Sequence, residues 1–249
     1  MQGPKAATVP ILLYHRIAIS PINSRYYVTP ANFEAQIQLL HGWEYQAIST
    51  GMLVRALTQG AELPPRPVII TFDDGHLDNY TAAFPIMQKY GFTGILYLVS
   101  NYLGVDEYLD VEQVQQMHQA GWEVGSHSIH HLDITRLKPD AQRQEVVDSR
   151  KRLEAALGIP VETFAYPFGE YNRAAIDYVK FAGYSAGMNA TGYTADQYSN
   201  NLYALQRLEV KGQDDLNSFV RLLPWHGDPV FLAGVSSSGV TIPTDTPAP

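Results

Sequence analysis

The sequence predicts an α/β fold in which helices alternate with parallel strands, arranged as a closed or partly open (β/α) barrel. Three observations support this. Short apolar runs alternate with amphipathic segments, and Gly91, Gly121, Gly158 and Gly183 each stand between a helical pattern and the next strand. The 249 residues, 45% of them hydrophobic, suit one large barrel of about 250 residues better than two small domains. Polar clusters lie just past the ends of predicted strands far apart in sequence, and in such barrels those ends share one face.

Val9–Tyr14 reads as a buried strand ending at His15-Arg16. Thr29-Pro30 opens a helix with Pro at its first position and Phe33, Ile37 and Leu40 on one face, and Gly42 ends it. Tyr45–Ile48 is a short strand, Thr50–Leu57 a helix, and the Pro64-Pro65-Arg66-Pro67 turn leads into a strand over 68–72. A helix over Asn79–Tyr90 feeds the strand Gly94–Val99. The pattern then repeats through helix 110–119, strand 122–126, helix 139–157, strand 162–166, helix 172–182 and strand 184–189. Leu202–Val210 is the last strand and Asp214–Leu222 the last helix. No Gly-rich phosphate fingerprint follows any strand, which leaves a dinucleotide fold without support.

A net charge of −8 with no basic cluster argues against nucleic acid as a partner. No apolar stretch approaches the roughly 20 residues of a membrane span. The absence of cysteine excludes thiolate metal sites, cysteine nucleophiles and disulfides, without fixing a compartment. Met1–Pro10 has no apolar signal core, so the chain is either cytosolic or a mature domain with an added start methionine. The Ser/Thr/Pro-rich stretch 233–249 reads as an extended tail or linker with room for a further domain beyond it. Such linkers tether modules of exported proteins, which favours a secreted or cell-envelope bacterial protein. The expected layout is an N-terminal extension 1–8, a folded domain 9–232 and the tail 233–249.

The most informative residues are Thr71-Phe72-Asp73-Asp74-Gly75, which place adjacent carboxylates where a buried strand ends. Like charges side by side in a low-dielectric pocket are costly unless a metal or a proton separates their roles. A helix cap would explain one Asp, not both. Ser126-His127-Ser128-Ile129-His130-His131 also follows a short apolar strand. A carboxylate with two imidazoles is the ligand set of an open catalytic zinc site, and of non-haem iron oxygenases. The helical zinc-protease motif needs Glu after its first His, where Ser128 stands. Successive side chains on a strand point apart, so one Asp can bind metal while the other takes a proton from water. Such an assembly hydrolyses an amide or an ester without a nucleophilic side chain.

The TFDDG segment together with His127-Ser128-Ile129-His130-His131 resembles the NodB-homology polysaccharide deacetylases of carbohydrate esterase family 4. The resemblance runs from about Val9 to Val210 and implies a distorted (β/α) barrel of about seven parallel strands. By position it implies Asp74, His127 and His131 as ligands of a divalent metal, with Zn2+ the expected ion, Asp73 as base and His130 as bystander. Phe164-Ala165-Tyr166-Pro167-Phe168-Gly169 is similar to the third family motif, with the Phe168 N–H facing the oxyanion. Ala165 and Tyr166 occupy the stretch where an arginine usually orients the base, so that salt bridge is expected to be missing. No late Asp–Trp motif is present, and Leu205-Gln206-Arg207-Leu208 has no histidine where a general acid is usual. Leu12-Leu13-Tyr14-His15 resembles instead the permuted branch that deacetylates poly-N-acetylglucosamine, which makes His15 the expected acid ahead of His226. Arg207 either orients a carboxylate from the last strand or is a solvated strand-end residue. Tyr14, Tyr166, Pro167 and Phe168 are the expected substrate-side residues. The partner implied is an acetylated polysaccharide or oligosaccharide losing N-acetyl groups from N-acetylglucosamine. An O-acetyl esterase on acetylated xylan and a weakly active carbohydrate-binding relative are the alternatives.

Overall fold

A computed structural model describes residues 5–228. Seven parallel strands form the main sheet: β1 (Ile11–Tyr14), β2 (Pro67–Asp74), β3 (Ile95–Leu98), β4 (Glu123–Ser126), β5 (Thr163–Ala165), β6 (Ala186–Met188) and β7 (Leu208–Glu209). Their order in space is β6-β5-β4-β3-β2-β1-β7. Alternate residues feed two apolar clusters, as the two-residue period of a strand requires. Leu12, Ile70, Phe72, Leu96 and Phe164 pack with the surrounding helices, whereas Ile11, Ile69, Ile95, Tyr97 and Met188 fill the inside of the curl. Phe33, Ile37 and Leu40 are buried as the helical pattern expects, on α1 (Pro30–Gly42), which Thr29 caps by accepting from the Asn32 N–H. Gly125 leaves room for the Tyr97 ring to lie across the neighbouring strand, because a Cβ would stand 2.3 Å from it.

The structure differs from the sequence reading where a segment serves two neighbours. Residues 199–204 form a 3-10 turn instead of the start of a last strand. Leu205 then bridges to Met188 on one edge of the sheet, and Leu208 pairs with Leu12 of β1 on the other. One short stretch therefore closes the curl, which leaves β7 only two residues long. The helix expected over 79–90 begins with a π-helical turn at Asn79–Ala83, and a second π turn, Gln144–Asp148, interrupts the helix over 139–157. Ala6–Thr8 pairs antiparallel with Asp196–Tyr198, so part of the expected N-terminal extension packs onto the fold. The expected tail, 233–249, lies outside the described residues.

Closure is secured by a buried ion pair. Arg207, fully buried, donates from Nη1 to Asp73 Oδ1 (2.6 Å) and from Nη2 to Asp73 Oδ2 (2.8 Å), while its Nε donates to the Asn189 carbonyl (2.6 Å). Of the two readings of Arg207, the structure shows the one that orients a carboxylate. It also corrects the expectation of a missing salt bridge, since an arginine from β7's approach occupies that role. Removing one member of such a pair leaves an uncompensated buried charge and costs about 3–5 kcal/mol. Arg207→Met is therefore expected to lower unfolding free energy by about that amount in urea titration. Burial alone would raise the Asp73 pKa, but Arg207 and His127 outweigh it and hold the carboxyl below its ordinary range. Because the folded value is depressed, this contribution is complete above about pH 4 and disappears as pH falls through the lower folded value. Below pH 4 the melting temperature should drop more steeply with acid in the natural protein than in Asp73→Asn. Parallel curves would exclude the linkage.

Candidate active site

The C-terminal ends of β1, β2 and β4, with the loop after β5, open into a cavity of about 970 Å³. His15, Asp73, Asp74, His127, His131 and Phe168 all line it, and with Leu208 of β7 they bring the ends of five strands of the sheet to one place. Asp73 and Asp74 are the last two residues of β2. Asp73 keeps the strand's inward direction toward Arg207, whereas Asp74 adopts a left-handed backbone (φ 72°) that turns its carboxylate toward the histidines.

Asp74 Oδ1 lies 3.7 Å from His127 Nε2 and 3.4 Å from His131 Nε2. The three residues form the one candidate metal cluster among the described residues. Ligands about 2.0–2.1 Å from a tetrahedral ion stand roughly 3.3 Å apart, close to the spacing seen here. Asp74 Oδ1 is also buried without a hydrogen-bond partner, an expensive condition unless a cation satisfies it. His127 donates from Nδ1 to the Ala165 carbonyl (2.8 Å), which leaves the Nε2 lone pair for a ligand. Burial and the neighbouring His127 push the His131 pKa below its ordinary value, favouring the neutral imidazole that a metal needs. The residues present thus fit a divalent ion.

The turn carrying these histidines is strained and braced. Ser128 (φ 69°) and His131 (φ 56°) are both left-handed, and the Ser128 hydroxyl accepts from the His131 N–H. Buried Glu145, in the second π turn, accepts from the Ile129 and His130 N–H groups and meets His130 Nδ1 at 2.5 Å. His130 is thereby held on Glu145 and stands outside the cluster. The segment bearing His15 is held in a similar way. Asn79 donates to the His15 carbonyl (2.9 Å), and Asp78 accepts from the Ile17 N–H (2.7 Å) and from Arg16 Nε (2.5 Å). The His15 ring packs 4.7 Å from that of Tyr26. Its pKa is lowered by burial, against the opposing pull of Asp73 and Asp74.

The remaining expected residues divide. Phe168 is exposed, left-handed (φ 59°), and its ring lies 4.6 Å from His131. Pro167 is buried in the turn that presents Phe168. Tyr14 and Tyr166 are corrections to the substrate-side set. Both are fully buried; the Tyr14 hydroxyl donates to Gln36 Oε1 and the Tyr166 hydroxyl to the Tyr203 carbonyl, so neither meets the cavity. His226 packs on Trp43 and does not line the cavity. Sequence reasoning missed His76, Asp78, Asn79 and Glu145. Only His76 carried a signal, since a glycine between Asp74 and His76 can fold the chain back on itself.

Comparison with known proteins agrees with this geometry. The family profile described as polysaccharide deacetylase matches residues 60–187. The chain is 34% identical over 206 residues to YxkH of Bacillus subtilis (strain 168), a protein named for polysaccharide deacetylase, covering 83% of this chain and 72% of that one. It is 24% identical over 192 residues to a poly-beta-1,6-N-acetyl-D-glucosamine N-deacetylase of Staphylococcus aureus, covering 72% of this chain and 66% of that one, just under two thirds of its length. Among solved structures, the Streptococcus pyogenes deacetylase PplD in complex with acetate superposes with a TM-score of 0.81 at 27% identity, over 87% of this chain and 98% of that one. The seven-stranded curl, the strand-end carboxylates and the paired histidines are thus the local form of a shared scaffold, and the chain belongs to the polysaccharide deacetylase family, the NodB-homology hydrolases of carbohydrate esterase family 4.

Proposed function

We propose that this chain hydrolyses N-acetyl groups on an N-acetylglucosamine-containing polysaccharide, releasing acetate and leaving a free amine. The observation that carries the reading is one cavity holding an arginine-clamped Asp73, the Asp74–His127–His131 cluster and His15. Asp74, His127 and His131 would hold the metal. A divalent ion in that set, with Zn2+ expected, supplies Lewis acidity toward water and the acetyl carbonyl oxygen. Asp73, held ionised by Arg207 and 3.6 Å from His127 Nε2, takes the proton from the attacking water. Arg207 occupies one lone pair on each Asp73 oxygen, so the carboxylate is fixed in direction yet still able to accept. His15 supplies a proton to the leaving nitrogen as the C–N bond breaks. Phe168, presented by its left-handed turn, places its N–H near the developing oxyanion.

The reading of a weakly active carbohydrate-binding relative drew on the absent third-motif arginine and the absent late motifs. Arg207 supplies the contact of the first, and His15 lining the same cavity is our candidate for the acid that the late motifs would bring. A polysaccharide substrate is consistent with a secreted or cell-envelope protein, and no described helix is long and apolar enough to cross a membrane.

Crystals soaked in zinc should show Asp74, His127 and His131 within about 2.0–2.2 Å of one ion. Coordination by His130 in place of His131 would reassign the ligand, and an unoccupied cluster would remove the metal from the proposal. Asp73→Asn should keep the metal and lose about 10²–10⁴-fold in acetate release. Release near the natural rate would move the base elsewhere. His15→Ala should harm hydrolysis of the N-acetyl amide far more than that of an activated aryl acetate, whose leaving group needs little proton assistance, with metal content unchanged. Equal losses on both substrates would give His15 a structural role.

A further inference from the structure

One imidazole at the site has no part in the scheme above. His76 lines the same cavity, and its Nε2 lies 3.5 Å from Asp74 Oδ2, the carboxylate oxygen opposite the one that faces His127 and His131. The chain makes this contact possible by turning back through two consecutive left-handed residues, Asp74 (φ 72°) and Gly75 (φ 79°). Glycine suits the second position, since a left-handed φ strains any side chain and a Cβ there would also stand 2.7 Å from Leu98 Cδ2. The reversed segment is then fixed from the other side. Leu109 donates to the Gly75 carbonyl, Leu77 donates to the Glu107 carbonyl, and the His76 ring stacks on Tyr108 at 4.8 Å and 25°.

A histidine placed only to fill space would not need this arrangement. Its Nδ1 is buried without a hydrogen-bond partner, a cost that the ring bears while its other nitrogen is aimed at Asp74. With the proton on Nε2, the ring offers a donor to Oδ2, and the unpartnered Nδ1 is the less costly lone pair. A donor 3.5 Å from one oxygen biases the carboxylate's rotation, so that Oδ1 is presented to the two metal-facing imidazoles. Carboxylates that bind metals are commonly held in this way, and loss of such a partner typically costs about 10–100-fold in metal affinity.

We propose that His76 is a positioning residue for the metal-binding carboxylate, acting through Asp74 and not as a ligand itself. The proposal rests on the ligand set assigned above, and titration calorimetry of zinc into metal-free protein separates the two. The natural protein should bind one zinc, and Asp74→Asn should weaken that binding. If either fails, the ligand set is wrong and the role of His76 falls with it. His76→Ala should weaken zinc binding by about 10–100-fold with little change in melting temperature of the metal-free protein. His76→Gln, whose amide N–H can still donate, should recover part of the loss. Unchanged affinity in His76→Ala, with Asp74→Asn weakened, would overturn the positioning role alone. A loss in His76→Ala that tracks a fallen melting temperature, with no recovery in His76→Gln, would mark a structural role instead. Substituting cobalt(II) gives a final readout. The visible spectrum of His76→Gln should match that of the natural protein, whereas an altered ligand field would make His76 a direct ligand and overturn the proposal.

Discussion

The bidentate pair between Asp73 and Arg207 is the constraint on which the other features depend. It links residues 134 positions apart, and through Arg207 Nε it also reaches the end of β6. Desolvating two charges is costly, and only bidentate geometry with the other donors satisfied repays it. That demand fixes where the segment 205–209 must run, and the segment in turn closes the sheet. The same contact favours the ionised form of Asp73 against the burial that would raise its pKa. Fold closure and the state of the proposed base therefore come from one interaction.

Around that pair the site is assembled from turns, not from the middles of elements. Asp74, Ser128, His131 and Phe168 account for four of the eight non-glycine residues with positive φ among those described. Such conformations cost of order 1–3 kcal/mol each and persist only where the surroundings over-determine them. Here the surroundings are specific: Glu145 on the histidine turn, Asp78 and Asn79 on the segment of His15, and Tyr108 with Leu109 on the segment of His76. Asn79 and Glu145 both sit in π-helical turns, which widen a helix locally and recur at functional sites.

Much of this was legible in the chain. The fold class followed from alternation, and the carboxylate and histidine clusters stood out because their residue types and strand-end positions have few purely structural explanations. Strand parity could have excluded Tyr14: it pairs in register with Phe72 and so shares the outward face of Phe72, opposite to Asp73. Arg207 was ambiguous because a lone arginine carries no local mark of a partner in another strand. The bracing residues were invisible for the same reason, since their hydrogen bonds go to backbone groups brought near only by the fold. The last strand was misread because its apolar pattern is shared between two neighbours instead of alternating toward one.

The spatial order of the strands explains how this chain can dispense with motifs found elsewhere in its family. β1 lies between β2 and β7, so residues at the ends of the first and last strands reach the same corner of the cavity as Asp73. An arginine entering from the fifth strand and a histidine from the last are one way to surround that carboxylate. Here the arginine comes with the last strand and the histidine with the first. The proposed chemistry calls for a guanidinium on one side of Asp73 and an imidazole within the field of both carboxylates, and Arg207 and His15 stand in those positions. The segment 205–209 touches both edges of the curled sheet, so the first, last and sixth strands stand side by side and the chain can supply each group from whichever strand end is next to the site.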